Sequence, residues 1–367
     1  HRDLHSFPTR RSSDLVNKRA ITVTAVTSTK TYDGTTASSG TPTITSGTLA
    51  DGDTATWTQT YGSKNVGTGK TLTPAGTVSD GNSGNNYTVT FATNTTGVIN
   101  ARAITVTAVT STKTYDGTTA SSGTPTITSG SLADGDTATW SQTFDTEHVG
   151  TNKTLTPAGS VSDGNSGNNY AVALVANTTG VINARAITVT AVTSTKTYDG
   201  TTASSGTPTI TSGSLADGDT ATWTQTFGSK HAGTGKTLTP AGSVSDGNSG
   251  NNYTVTFATN TTGVINARAI TVTAVTSTKT YDGTTASSGT PTITSGSLAG
   301  GDTATWTQTF TTEHVGTNKT LTPAGSVSDG NSGNNYAVTF ATNATGVINA
   351  RAITVTAVTS TKTYDGT

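Results

Sequence analysis

The sequence predicts an all-β protein: a tandem array of small β-sandwich modules, Ig-like or β-grasp-like, threaded as beads on a string. Three observations predict it. Tyr-Asp-Gly recurs at Tyr32, Tyr115, Tyr198, Tyr281 and Tyr364, each 83 residues after the last with no insertion or deletion. Apolar and polar residues alternate over short runs, as half-buried strands require. No window of a dozen residues carries the apolar spacing of three and four that marks a helix. A step of 83 residues exceeds the roughly 20–45 of a solenoid coil, so each step reads as a small domain with a core of its own.

Within the first unit, Ile21-Thr22-Val23-Thr24 alternates cleanly. Ala55 to Tyr61 places Ala55, Trp57 and Tyr61 on one face, and Tyr87 to Phe91 is the clearest strand. Thr43 to Ser46, Lys70 to Thr73 and Gly97 to Asn100 are further short strands. Asp33-Gly34 and Asp51-Gly52-Asp53 read as tight turns, the first of a kind that favours hairpins. Ser79 to Asn86 reads as a longer polar loop, and Pro42 and Pro74 are expected near strand edges, where a missing N–H is tolerated. One tryptophan per unit (Trp57, Trp140, Trp223, Trp306) can seed a core.

The expected units are 19–101, 102–184, 185–267 and 268–350, with 351–367 the truncated start of a fifth. Residues 1–15, HRDLHSFPTRRSSDL, fit nothing that follows and look like the in-frame translation of a short-read sequencing adapter. They are set outside the fold, as tags and scars are. With no methionine and an end inside a repeated motif, the chain reads as a piece of a longer array.

Composition narrows the function classes. There is no cysteine, hence no disulfide framework and no thiolate site. Charged residues are 11% of the chain and the net charge is −1, without a basic stripe, which argues against a nucleic-acid partner. No stretch is long and apolar enough to span a membrane as a helix. Threonine, serine, glycine and asparagine replace charge, a composition that suits extracellular β modules.

The chemical motifs resolve into structural readings. Asp51-Gly52-Asp53 and Asp80 to Asn85 suggest calcium loops, but the second has Gly84 at the next alternate position and no bidentate glutamate, and Asp51 becomes Gly300 in the fourth unit. Polar turns are the expectation. Gly67 to Thr71 lacks the first glycine of a phosphate loop, where Lys64 stands, and Gly69 becomes Asn152 and Asn318. His148, His231 and His314 share one position, Asn65 in the first unit, and each is expected in a surface turn. A serine nucleophile would need a base, and the first unit has no histidine. Asp33, Asp51, Asp53 and Asp80 are the carboxylates a glycosidase pair could use, but tandem duplicated active sites are not expected. Asn94-Thr95-Thr96 matches a glycosylation acceptor by chance. No catalytic, metal or cofactor residue is therefore assigned. The Tyr-Asp-Gly motif is expected to be architectural, with the tyrosine ring in the core and Asp33-Gly34 making the turn.

Four segments in order carry a family likeness: KTYDGTT at Lys30, GDTATW at Gly52, KNVGTGKTLT at Lys64 and GNNYTV at Gly84. The unit resembles the YDG repeat domain of filamentous-haemagglutinin-like proteins and other giant surface adhesins of Gram-negative bacteria. The loop before Tyr87 is longer and richer in Asn and Gly than that resemblance leads one to expect. The resemblance implies export, an extracellular or cell-surface location, and a part in adhesion or biofilm. It brings no catalytic residues. The function expected from it is a stalk of spacer repeats holding a distal adhesive region away from the cell, with no small-molecule substrate. The alternative is repeats that themselves bind host or neighbouring-cell glycans or proteins by avidity. Exposed aromatics would be the platform for that, and Trp57 and Tyr87 look internal.

Overall fold

The structure, a computed structural model, describes residues 16–366. The adapter-like segment 1–15 lies outside the described residues. The chain divides into two compact units, 1–183 and 184–367. Each holds two repeats, and every repeat uses the same seven strands; no helix occurs among the described residues.

In the first repeat the strands are β1 (Arg19–Thr24), β2 (Thr29–Thr31), β3 (Thr43–Ser46), β4 (Thr54–Tyr61), β5 (Gly67–Ser79), β6 (Tyr87–Ala92) and β7 (Asn94–Asn100). They form a three-stranded sheet ordered β3-β1-β6 and a four-stranded sheet ordered β2-β7-β5-β4. β1 runs antiparallel to β3 and parallel to β6, with Ile21 opposite Val89. β2 runs parallel to β7, and β5 runs antiparallel to both β7 and β4. Two small sheets face to face make each repeat a sandwich.

The expected strands are present, and β2 is added to them. The three-residue β2 has no alternation to read; Thr29–Thr31 is held by its pairing with Val98–Asn100. The Asp33-Gly34 turn does not make a hairpin, because the strands on either side of it, β2 and β3, belong to different sheets. Pro74 lies well inside a strand, opposite Gln59. It is tolerated because the pairing of β5 with β7 ends at Leu72 opposite Asn94, which leaves the other side of β5 open at Pro74.

Threonine has a structural use beyond solubility. Its branched Cβ suits a pleated strand, and its hydroxyls pair across strands. Thr24 and Thr45 meet at 2.6 Å between hydroxyl oxygens, and Thr27 meets Thr96 at 2.6 Å. The same pairs return 83 residues on as Thr107 with Thr128 and Thr110 with Thr179.

The core lies in two parts. Between the sheets, Ile21, Val23, Val78 and Tyr87 are buried, with Ile44, Ala55, Trp57 and Val89 packed against them. The second part is not closed by one repeat. Ala25, Tyr32, Tyr61, Leu72 and Ile99 of the first repeat form a single cluster with Ile104, Val106, Ala133, Val161 and Tyr170 of the second. Unit 2 repeats this: Tyr198, Phe227, Leu238 and Ile265 of the third repeat cluster with Ile270, Val272, Val327 and Tyr336 of the fourth. Within each unit the modules are thus tandem but share a hydrophobic interior, and one residue, Ala101, separates β7 from the next strand, Arg102–Thr107.

Candidate functional site at the repeat junction

The feature that concentrates specific chemistry is this junction, built around Tyr-Asp-Gly. The motif first organises itself. Asp33 Oδ1 accepts from the Thr35 backbone N–H at 2.9 Å and from the Thr35 hydroxyl at 2.9 Å. Lys30 Nζ donates to the same oxygen at 2.7 Å and to the Thr35 carbonyl at 2.8 Å, and sits 5.4 Å from the centroid of the Tyr61 ring. Burial alone would raise the Asp33 carboxyl, but the Lys30 ammonium and the Thr35 donors outweigh it and hold its pKa below the ordinary value.

The motif then reaches into the next repeat. Gly34 has φ +82°, and a Cβ there would stand 3.3 Å from the Ala133 Cβ. Tyr32 is 1% exposed. Its ring meets that of Tyr170 edge-on, centroids 5.5 Å apart and planes at 74°, a favourable aromatic geometry. Its hydroxyl donates to Asp136 Oδ2 at 3.0 Å. The Tyr170 hydroxyl donates to the same oxygen at 2.7 Å while accepting the Ala133 N–H at 2.8 Å. Desolvation, reinforced by the Asp136 carboxylate, pushes the Tyr32 hydroxyl up to about 12.

A second contact flanks the first. Asn169 is fully buried, and its Oδ1 accepts the Val66 N–H at 2.9 Å. Its Nδ2 donates to Asn65 Oδ1 at 3.3 Å. Asn169 is fixed by the polar loop before the tyrosine strand. There Asp163 Oδ1 accepts the Asn165 and Gly167 N–H groups and Oδ2 accepts the Asn169 N–H. Burial would raise Asp163, but these three N–H donors prevail and lower its pKa.

Unit 2 holds the same arrangement. Tyr198 donates to Asp302 at 3.0 Å, Tyr336 donates to that carboxylate at 2.7 Å, and the two rings lie edge-on at 5.5 Å. Ala232 N–H donates to Asn335 Oδ1 at 2.8 Å, and His231 Nδ1 lies 3.3 Å from Asn335 Nδ2. His231 is therefore a half-buried junction residue and not a free surface turn, whereas His314 is exposed.

The motifs weighed in the sequence fall elsewhere. Asp80 carries the backbone N–H groups of Asn82, Gly84 and Asn86 on its carboxylate, the geometry of a closed polar turn. Asp53 Oδ2 accepts the Tyr87 hydroxyl at 2.6 Å, and Asp51 is exposed. No group of three or more His, Asp or Glu that could hold a metal occurs among the described residues. Gly67 to Thr71 opens strand β5 rather than a strand–loop–helix turn. Asn152 and Asn318 replace Gly69 at φ +56° and +58°, a left-handed conformation that asparagine tolerates. Tyr87 is buried as expected, but Trp57 is only half-buried and packs edge-on at 6.0 Å against Phe91, which is 40% exposed. Sequence reading missed Asp53 and its equivalents as anchors. The available signal was internal: that aspartate persists as Asp136, Asp219 and Asp302 while its neighbour Asp51 drifts to Gly300.

The sequence profile of the YDG domain matches residues 17–96, 100–180, 183–262 and 266–345. The chain belongs to the YDG domain family. The junction tyrosine is thus the first residue of the motif that gives the YDG domain its name, and it acts between domains as well as within one. No curated protein matches the chain. Among solved structures, the chain is similar to EC1-4 of Drosophila N-cadherin at 8% identity, covering 91% of this chain and 100% of that one with a TM-score of 0.23. It is also similar to the I9-I11 tandem of titin at 8% identity, covering 68% and 99% with a TM-score of 0.20. Scores this low decide neither topology nor function for the YDG repeats.

Proposed function

We propose that these YDG repeats are stalk modules of a large secreted bacterial surface adhesin, spacing a distal adhesive region from the cell. The observation that carries the reading is the burial of Tyr32 inside the following repeat across a one-residue connection. A flexible tether has no need of a tyrosine shared with a neighbour's carboxylate; a spacer that must transmit position or load does. The role uses contact area and requires no catalytic group. Two experiments test it. Small-angle scattering of the whole chain should show a narrow spread of dimensions that broadens in a Tyr32→Ala, Tyr198→Ala double variant; an equally broad spread in the unmodified chain refutes the spacer. Antibody labelling of intact cells carrying the whole gene should decorate their exterior, and labelling only after lysis refutes the location.

A second reading is favoured by one observation. Half-exposed tryptophans pair with exposed phenylalanines in Trp57–Phe91, Trp223–Phe257 and Trp306–Phe340, all at about 6 Å. Such pairs could stack on sugar rings, with copies adding avidity. Binding of the intact chain to a glycan array, lost in Trp57→Ala, Trp223→Ala and Trp306→Ala together, would support glycan recognition by the repeats themselves.

A further inference from the structure

Asn335 dictates the protonation of the histidine beside it. Its side chain is fully buried, and its Oδ1 accepts the Ala232 N–H at 2.8 Å and Asn331 Nδ2 at 2.9 Å. That end of the amide is therefore the oxygen, and the other end is an NH2 that only donates. Nδ2 lies 3.3 Å from the Asp329 carbonyl oxygen and 3.3 Å from His231 Nδ1. One N–H goes to each, so Nδ1 is an acceptor and the imidazole proton sits on Nε2. In unit 1 the position of His231 is taken by Asn65, whose Oδ1 accepts Asn169 Nδ2 at 3.3 Å. An amide oxygen remains an acceptor across the pH range in which an imidazole nitrogen takes up a proton.

We propose that the junction between the third and fourth repeats is acid-labile through His231, while the junction between the first and second is not. Protonation of Nδ1 sets two donors face to face. The buried amide cannot correct this by turning over, because its NH2 would then meet the Ala232 N–H. The ring is half-buried and lies against Gly330 of the fourth repeat, where an added Cβ would stand 3.8 Å from Cε1.

The carboxylates on the packed segments are already occupied. Asp329 accepts the N–H groups of Asn331, Gly333 and Asn335, and Asp302 accepts the Tyr198 and Tyr336 hydroxyls. Asp199 pairs with Lys196 at 2.7 Å. No ion pair among the described residues includes His231. Lys230 and Lys236 on its own segment, and Arg268 beside Asn335, are cations that a further positive charge does not relieve. The closed junction thus binds fewer protons than the open one. Its stability falls with falling pH over the range in which histidine changes charge, roughly pH 8 to 5.

Hydrogen exchange of the whole chain at about pH 8 and about pH 5 tests this. It is read at the Ala232 and Val66 amides, each as a ratio to the rate in an unstructured peptide of the same sequence. The flanking residues, Lys230-His231 and Lys64-Asn65, distinguish the two segments. On acidification Ala232 should lose about fivefold or more in protection, the equivalent of about one hydrogen bond, and Val66 should keep its own. His231→Asn should hold Ala232 protection constant, and Asn65→His should bring the loss to Val66. Each variant installs a residue that the other junction already carries, so both should fold. An equal acid response at the two amides of the unmodified chain overturns the proposal. So does a loss at Ala232 that persists in His231→Asn, or Val66 protection that Asn65→His leaves insensitive to acid.

Discussion

Tyr32 donates its hydroxyl to Asp136, 104 positions along the chain, at 3.0 Å. The carboxylate it reaches already binds Tyr170, so two tyrosines from adjoining repeats share one anion inside a common apolar cluster. Hydrogen bonds to charged groups contribute about 1.5–3 kcal/mol. Tyr32→Phe leaves Asp136 with one donor and keeps the ring packed, so the loss should sit at the lower end, about 1–2 kcal/mol. Tyr281→Phe, at an exposed position, should cost nothing measurable. Denaturant unfolding of the two single variants in the whole chain checks this, and equal effects would remove the junction from the account.

Alkaline pH should open the junctions. Desolvation first, and the Asp136 and Asp302 carboxylates second, push Tyr32 and Tyr198 from 10.0 up to about 12. A group whose pKa is raised on folding stabilises the fold fully below its unfolded value and ceases to do so as pH rises through the folded one. The stabilisation should therefore be intact below about pH 10 and vanish between 10 and 12. Tyrosinate absorbance, followed with near-ultraviolet circular dichroism, should show a late-titrating fraction among the 10 tyrosines whose ionisation coincides with loss of tertiary signal. A single early step would contradict the buried arrangement.

The Gly34 turn separates local strain from junction packing. At φ +82° a β-branched residue is strained wherever it stands, by about 1–3 kcal/mol. At Gly34 the added side chain also runs into Ala133, whereas at Gly283 it meets open space. Gly34→Val should therefore destabilise more than Gly283→Val, and the excess should shrink when Ala133 is changed to Gly. Thermal melts of the three variants decide the matter, and identical losses would place the whole effect in the turn.

How much of this could be read beforehand follows from the range of each interaction. β1, β4 and β6 were legible because their alternation is local: Ile21 and Val23, Ala55 and Trp57, and Tyr87 each point inward by period two. β2 was not, because Thr29–Thr31 is defined only by its partner in β7. Tyr32 was legible as buried and as architectural, but not as buried against the next repeat. Nothing within Lys-Thr-Tyr-Asp-Gly-Thr identifies a carboxylate 104 residues away, and an aspartate in an Asp-Gly-Asp turn looks the same whether it faces water or a tyrosine. Near-identical repetition at a constant 83-residue step concealed the matter further, since a contact within one copy and a contact with the next leave the same periodic trace.

Gln59 is the clearest case of a residue whose role its own segment conceals. It lies on the inward face with Ala55, Trp57 and Tyr61 and is 2% exposed. Its side chain acts as a short substitute strand: Oε1 accepts the Val26 N–H at 2.9 Å, and Nε2 donates to the Val26 carbonyl at 2.9 Å and to Ser38 Oγ at 3.0 Å. Gln142, Gln225 and Gln308 do the same for Val109, Val192 and Val275. Gln59→Leu keeps the volume but strips both backbone groups of Val26 of their partner, and each buried orphan costs about 1–3 kcal/mol. The expected loss is about 2–6 kcal/mol, larger than that of Tyr32→Phe. Hydrogen exchange should localise it as faster exchange of the Val26 amide, and unchanged protection there would mean that water or a neighbouring strand supplies the missing bonds.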